Sequence, residues 1–133
     1  MDTLSTVNKN KDQVEQHFSW DDIVLIINKF VPVFKDKKYD FIFGIPRGGL
    51  IIATLLSYKL NVPLVLDESK LPSLSNVLVV DDIADTGNTL SKYESLGFDS
   101  FTIFYKDKSI VKPAFFGEVK LDETWIVFPW EVD

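Results

Sequence analysis

Two aspartates stand side by side at the end of an unbroken apolar run, Val77-Leu78-Val79-Val80-Asp81-Asp82, and the chain then continues Ile83-Ala84-Asp85-Thr86-Gly87-Asn88-Thr89. Adjacent carboxylates suit a pair of vicinal hydroxyls. A small loop with one glycine and two threonine hydroxyls, opening into a helix, presents consecutive backbone N–H groups to an anion. Together they describe a binder of a sugar phosphate, with the phosphate in the loop and the sugar hydroxyls on the acids. Two other readings stay open on the pattern alone. One is a surface turn with acidic caps. The other is a metal-binding phosphotransfer domain, where paired acids also follow a strand.

A second segment, Phe43-Gly44-Ile45-Pro46-Arg47-Gly48-Gly49-Leu50, has the composition of an anion loop. Gly48 and Gly49 let backbone amides approach a ligand closely, and Arg47 adds charge-assisted hydrogen bonds. Alone it is equally a glycine-rich turn from strand to helix.

The elements that must position these loops are legible from periodicity. Ser19-Trp20-Asp21-Asp22 resembles a capping box, and Trp20, Ile23, Val24, Ile27, Phe30 and Val31 recur at helical spacing. Pro32 is expected to weaken or kink the end of that helix, with Asp36 to Lys38 as a charged connector. Strands are expected over Asp40–Ile45, Pro63–Leu66, Val77–Val80, Phe101–Tyr105 and Phe115–Val119. Helices are expected over Leu50–Leu60 and Thr89–Leu96, with a last segment through Trp125 to Trp130. Alternating strands and helices give an α/β domain with a mainly parallel central sheet flanked by helices. Both loops then fall at the carboxyl ends of strands, where such sheets bind ligands.

Composition sets limits. With 133 residues, 46% of them hydrophobic, the chain suits one domain. Residues 1–17 are polar, without apolar periodicity, and read as a loosely packed extension; residues 18–133 form the domain. His17, alone in that extension, is expected to be solvated. There are no cysteines, so disulfides and thiolate metal sites are excluded. The apolar runs are too short to span a bilayer, and no signal peptide is legible, which points to the cytoplasm. A net charge of −6 argues against nucleic-acid binding. An anionic substrate would have to be held by local amides and a metal.

The Asp81–Thr89 segment resembles the phosphoribosyl pyrophosphate (PRPP) motif of type I phosphoribosyltransferases: hydrophobic strand, two acids, Thr-Gly loop. The resemblance runs from about Phe18 to Glu131 and is closest to the xanthine-guanine and hypoxanthine enzymes. It implies the type I phosphoribosyltransferase fold, with Asp81 and Asp82 on the ribose 2- and 3-hydroxyls. Ala84, Asp85, Thr86, Gly87, Asn88 and Thr89 would cradle the 5-phosphate, with Ile83 at its edge. Arg47, Gly48 and Gly49 match the family's pyrophosphate loop.

Asp85 is the finer clue, because the 6-oxopurine enzymes carry Asp there, near purine N7. Lys106, ending Phe101-Thr102-Ile103-Phe104-Tyr105-Lys106, matches a lysine that approaches the exocyclic O6. Glu123-Thr124-Trp125-Ile126-Val127-Phe128-Pro129-Trp130-Glu131 resembles the subfamily's C-terminal segment. Trp125 would stack on the purine, the Ile126 backbone would meet the base edge, and Glu131 would join Asp81 and Asp82 around Mg2+. Trp130 reads as core. Trp20 also matches the subfamily.

The implied activity is transfer of the 5-phosphoribosyl group of PRPP to a 6-oxopurine by a homodimer or higher homo-oligomer, with Arg47, Asp85 and Lys106 as the catalytic candidates. The chain departs from the family in two places. Only Asp67–Asn76 stands where relatives have a long closing loop, and the hood over the base site is small. A PRPP- or nucleotide-binding module without turnover is therefore the competing expectation.

Overall fold

The computed structural model describes residues 14–71, 76–121 and 123–131. Residues 1–13 of the expected extension and 72–75 of the expected short loop lie outside them. The chain runs β1 (Glu15–His17), α1 (Trp20–Lys37), β2 (Phe41–Gly44), α2 (Gly48–Leu60), β3 (Leu64–Val65), a 3-10 turn (Glu68–Lys70), β4 (Val77–Ala84), α3 (Asn88–Glu94), β5 (Asp99–Lys106), β6 (Phe115–Lys120) and β7 (Trp125–Val127).

Five strands form one sheet in the order β3-β2-β4-β5-β6, with every neighbouring pair parallel. β4 lies at its centre and reads as continuous apolar residues because both of its faces are covered. On one face Leu78 and Val80 pack with Ile23, Ile27 and Phe34 of α1 and Ile52, Ala53 and Leu56 of α2. On the other, Val77 and Val79 meet Leu90 and Tyr93 of α3. The mainly parallel α/β fold class is the one observed.

α1 starts where the capping box places it. Ser19 N–H donates to Asp22 Oδ2 at 2.9 Å and Asp22 N–H donates to Ser19 Oγ at 3.1 Å. Pro32 does not end the helix, which continues to Lys37, so Asp36 and Lys37 are helical and not a connector. The reason is tertiary. Phe34, one turn short of the end, is 1% exposed and packs on Phe101 and Phe115 at ring distances of 5.3 and 5.2 Å. That burial outweighs one missing backbone hydrogen bond.

Glu15–His17 are not loose. They form β1, which pairs in parallel with β7 in a separate two-stranded sheet. Trp125 N–H donates to Val14 O and Phe18 N–H donates to Val127 O, both at 2.9 Å. All three β1 side chains are exposed, so hydrophobic patterning could not reveal a strand held by backbone bonds. His17 is exposed, as expected, and stands 3.6 Å from Glu15. No helix among the described residues is long and apolar enough to cross a membrane.

Phe34→Ala should cost about 3–5 kcal/mol of unfolding free energy. Leu25→Ala on the solvent face of the same helix, where Leu25 is 72% exposed, should stay within about 0.5 kcal/mol. Urea melts of the two variants check this.

Candidate active site

The parallel strands deliver three segments to one edge of the sheet: the turn after β2, the end of β4 with its loop, and the end of β5. The first closes tightly on the second. Ile45 N–H donates to Val80 O at 2.8 Å, and the Pro46–Arg47 peptide is cis. A Cβ on Gly48 would collide with the Asp82 carboxylate. One on Gly49 would collide with Val80 O and stand 2.9 Å from Asp81 Cα. Both glycines are therefore required by the approach of α2's first turn to β4, whether or not a ligand is bound.

Asp81 and Asp82 belong to β4, which extends to Ala84, instead of following it. Each turns a carboxylate oxygen onto the next backbone amide: Asp82 N–H donates to Asp81 Oδ1 and Ile83 N–H to Asp82 Oδ1, both at 2.8 Å. Burial pushes the Asp81 carboxyl up to about 8, with the neighbouring Asp82 charge adding to the shift. Burial also raises Asp82. Two desolvated carboxylates side by side form a site that gains from hydroxyl donors or a cation.

A cavity of about 390 Å³ opens in front of them, lined by Pro46, Arg47, Gly48, Ile51, Asp81, Asp82, Trp130 and Glu131. A smaller one, about 90 Å³, is lined by Asp81, Ile83, Ala84, Asp85, Thr86, Gly87, Thr89 and Leu90. The two share Asp81, so the paired acids stand between a wide pocket and a loop-lined niche. The niche is braced from behind. Gly87 has φ +88°, and a Cβ there would lie 2.7 Å from Val111 N. Thr86 O accepts from Ile110 N–H at 2.8 Å. Asn88 N–H donates to Thr86 Oγ1 at 3.3 Å. The turn that does the bracing is closed by Ser109 Oγ–H, which donates to Val111 O at 2.7 Å.

β5 ends on Lys106, whose Nζ lies 3.1 Å from Asp85 Oδ1. The two candidates for reading a base, 21 residues apart in sequence by number (106 − 85), thus meet in the fold. Asp85 is more than half exposed, while Lys106 is mostly covered.

The C-terminal segment divides differently from the sequence reading. Trp130, read as core, stacks on Phe128 at 4.9 Å and 4° and lines the large cavity. Trp125 is half-buried in β7 and lines neither cavity. Glu131 lines the large cavity, and its Oε1 accepts from Phe128 N–H at 2.9 Å. Missed as well were Pro46 and Ile51 as lining residues and the Ser109–Val111 brace. The Lys106–Lys112 loop carries Ser109 and Pro113 after it, a turn composition that could have drawn attention to it.

Asp67–Lys70, just after β3, are held by side-chain contacts. Glu68 pairs with Lys92 of α3, and Asp67 Oδ1 accepts from Ser69 N–H at 3.0 Å. The Lys92 and Tyr93 contacts hold the Glu68 carboxyl below the usual range. Further on, Asn76 N–H donates to Asp40 Oδ2 at 3.0 Å, at the amino end of β4. Among the described residues, no group of three or more acidic or histidine side chains is arranged to hold a metal by itself. Asp81, Asp82 and Glu131 nevertheless border one cavity. Magnesium characteristically takes one or two carboxylates and completes its shell with substrate phosphates, so these residues fit a metal that arrives with its anion.

A carboxylate raised on folding adds stability that is full below its unfolded value and is lost as pH rises through its folded value. In metal-free buffer, wild type should therefore lose stability relative to Asp81→Asn as pH rises from about 5 to above 8. Paired thermal melts across that range measure the gap, and a gap that does not widen would contradict the assignment. Gly49→Ala should cost about 1–3 kcal/mol, read from a urea melt.

No family model matches the chain. It is 29% identical, over 143 aligned positions covering 91% of this chain and 88% of the other, to a xanthine-guanine phosphoribosyltransferase of Chromohalobacter salexigens. An adenine phosphoribosyltransferase of Campylobacter hominis is 33% identical over 72 residues, covering 47% of this chain and 40% of that protein. Among solved structures, a purine phosphoribosyltransferase from Pyrococcus horikoshii superposes with a TM-score of 0.75 at 28% identity, covering 90% of this chain and 95% of that one. In sequence and in fold alike, the chain is a relative of the purine phosphoribosyltransferases, built on the type I phosphoribosyltransferase fold.

Proposed function

We propose that this protein is a purine salvage phosphoribosyltransferase that transfers the 5-phosphoribosyl group of PRPP to N9 of a 6-oxopurine (guanine, xanthine or hypoxanthine) and releases pyrophosphate. The observation that carries the reading is the Asp85–Lys106 contact at 3.1 Å, set beside the niche and the paired acids. A carboxylate and an ammonium held together offer an acceptor for an N–H and a donor for an oxo group. A 6-oxopurine presents both along one edge, through N7 and O6. Adenine carries an amino group at position 6, which a lysine donor leaves unsatisfied.

The remaining residues take the roles that the family resemblance implies. Asp81 and Asp82 receive the ribose hydroxyls. The loop Ile83–Thr89 receives the 5-phosphate. Arg47 and the amides of Gly48 and Gly49 receive pyrophosphate across the large cavity. Trp125, which borders neither cavity, takes the base-stacking role on the family resemblance alone.

The backbone groups of Ile126 meet the base edge. In a parallel ladder alternate residues turn their amides to opposite sides. Trp125 and Val127 turn theirs to β1, which directs those of Ile126 away from it. Magnesium, held by Asp81, Asp82 and Glu131 together with PRPP, supplies charge neutralisation for the leaving pyrophosphate.

In the step itself, the bond from C1 of ribose to the pyrophosphate oxygen breaks and its electron pair leaves with pyrophosphate. C1 becomes oxocarbenium-like, as in glycoside chemistry. The N9 lone pair forms the new bond from the opposite face. Asp85 accepts the N7 proton as general base, and Lys106 stabilises charge on O6. Positioning of the two reactants supplies much of the acceleration. We place the enzyme in the cytoplasm as a homodimer, which size-exclusion chromatography checks.

The short stretch Asp67–Asn76, with Glu68 paired to Lys92 of α3, favours a second reading, a module that binds PRPP or nucleotide without turnover. A product assay separates the two. The protein is mixed with PRPP, Mg2+ and each of guanine, xanthine, hypoxanthine and adenine, and nucleoside monophosphate is measured by chromatography. The transferase forms product with oxopurines and little with adenine. Asp85→Asn and Lys106→Ala should each lower kcat/KM about 10²–10⁴-fold. Bound PRPP without product from any base supports the module.

A further inference from the structure

Thr102, in the middle of β5, is fully buried, and its Oγ1 has no hydrogen-bond partner, the one such side-chain atom among the described residues. A buried hydroxyl left unpaired costs free energy. Valine has the same shape without that cost, so the hydroxyl calls for a partner in some state of the protein.

The sheet register names the partner. Thr102 stands directly opposite Asp81 across the β4–β5 ladder. The preceding pair on the same face is Val79 and Ser100, and Val79 packs against Phe43, Leu90 and Tyr93. Residues two apart on a strand share a face, so Asp81 and Thr102 project together on the α3 side, from strands about 4.8 Å apart. The other residue opposite Thr102 is Phe116 of β6, whose ring accepts no conventional hydrogen bond. Ser100 Oγ already accepts from Ala114 N–H and lies about 6.6 Å away along the strand. Of the two residues paired with Thr102 across the sheet, Asp81 is the one that carries a hydrogen-bond acceptor. Its Oδ1 is taken by Asp82 N–H.

We propose that Thr102 is a positioning residue for sugar binding: its hydroxyl donates to the Asp81 carboxylate when that carboxylate turns to receive the ribose hydroxyls, and fixes the orientation in which it does so. The inference rests on the reading of Asp81 as a ribose ligand. Thr102 touches no substrate. It acts through Asp81, from a strand that also carries Lys106 to the base site.

The test compares Thr102→Val, Thr102→Ala and Thr102→Ser with wild type by calorimetric binding of guanosine monophosphate and of its 2′,3′-dideoxy counterpart. Thermal melts of each ligand-free protein accompany it. Wild type should bind the ribonucleotide more tightly than the dideoxy compound. Thr102→Val should bind the ribonucleotide about tenfold more weakly, the effect of one hydrogen bond to a charged group, with affinity for the dideoxy compound unchanged. Its thermal midpoint should not fall, because no bond is lost in the ligand-free protein. Thr102→Ala should show the same selective loss, and Thr102→Ser should bind both compounds as wild type does.

Wild-type affinity for the ribonucleotide in Thr102→Val, or equal losses for both compounds, would overturn the role of Thr102 and leave the transferase reading intact. Equal binding of both compounds by wild type would overturn both, because it removes Asp81 from the ribose hydroxyls.

Discussion

The site depends on a single packing constraint: the first turn of α2 must lie against the end of β4. Gly48 and Gly49 make that approach possible, since a methyl group at either would strike Asp82 or the Val80–Asp81 backbone. The approach has two consequences. It brings Arg47 and the amides of α2's first turn to the mouth of the large cavity. It also takes water away from Asp81 and Asp82, which raises both carboxyls. Two acids that repel one another and are poorly hydrated form an unstable arrangement when empty, and that instability is available to a ligand with hydroxyl donors and a cation.

The other parts are arranged around this contact. The niche beyond Asp81 depends on Gly87 in its left-handed conformation and on the Ser109–Val111 turn pressed behind it. That turn comes soon after Lys106, so one stretch of chain both supports the loop after β4 and carries the lysine that meets Asp85. A change in either place is therefore expected to be felt in the other, through Ile110 N–H on Thr86 O. Across the sheet, Thr102 stands behind Asp81 with an unspent hydrogen bond.

Much of this was legible before any coordinates. The order of strands and helices follows from periods of two and 3.6 and from the apolar runs. The capping box at Ser19 and Asp22 is legible because it is a local device, made by residues three apart. The grouping of Asp81, Asp82 and the Thr-Gly loop is contiguous in sequence, and so is the Arg47–Gly49 turn. Where the reading failed, the deciding force acted at long range. Asp36 and Lys37 belong to α1 and not to a connector, because Phe34 is buried against β5 and β6. Glu15–His17 pair with β7 through backbone bonds, and side-chain pattern carries no trace of such bonds.

The amino-acid sequence by itself determined the local chemistry: which residues carry carboxylates, hydroxyls and small backbones, and which of them sit at strand ends. Only the tertiary structure decided which of these groups face one another. The meeting of Asp85 with Lys106 at 3.1 Å requires β4 and β5 to pair in parallel at one register. The placement of Thr102 behind Asp81 requires that same register. The cavity wall made by Trp130, which also packs against the core as expected, arises because Phe128 already occupies the interior and leaves the next ring stacked over it at the pocket's edge. Backbone pairing and packing between distant segments are collective properties of the folded chain, and no window of sequence contains them.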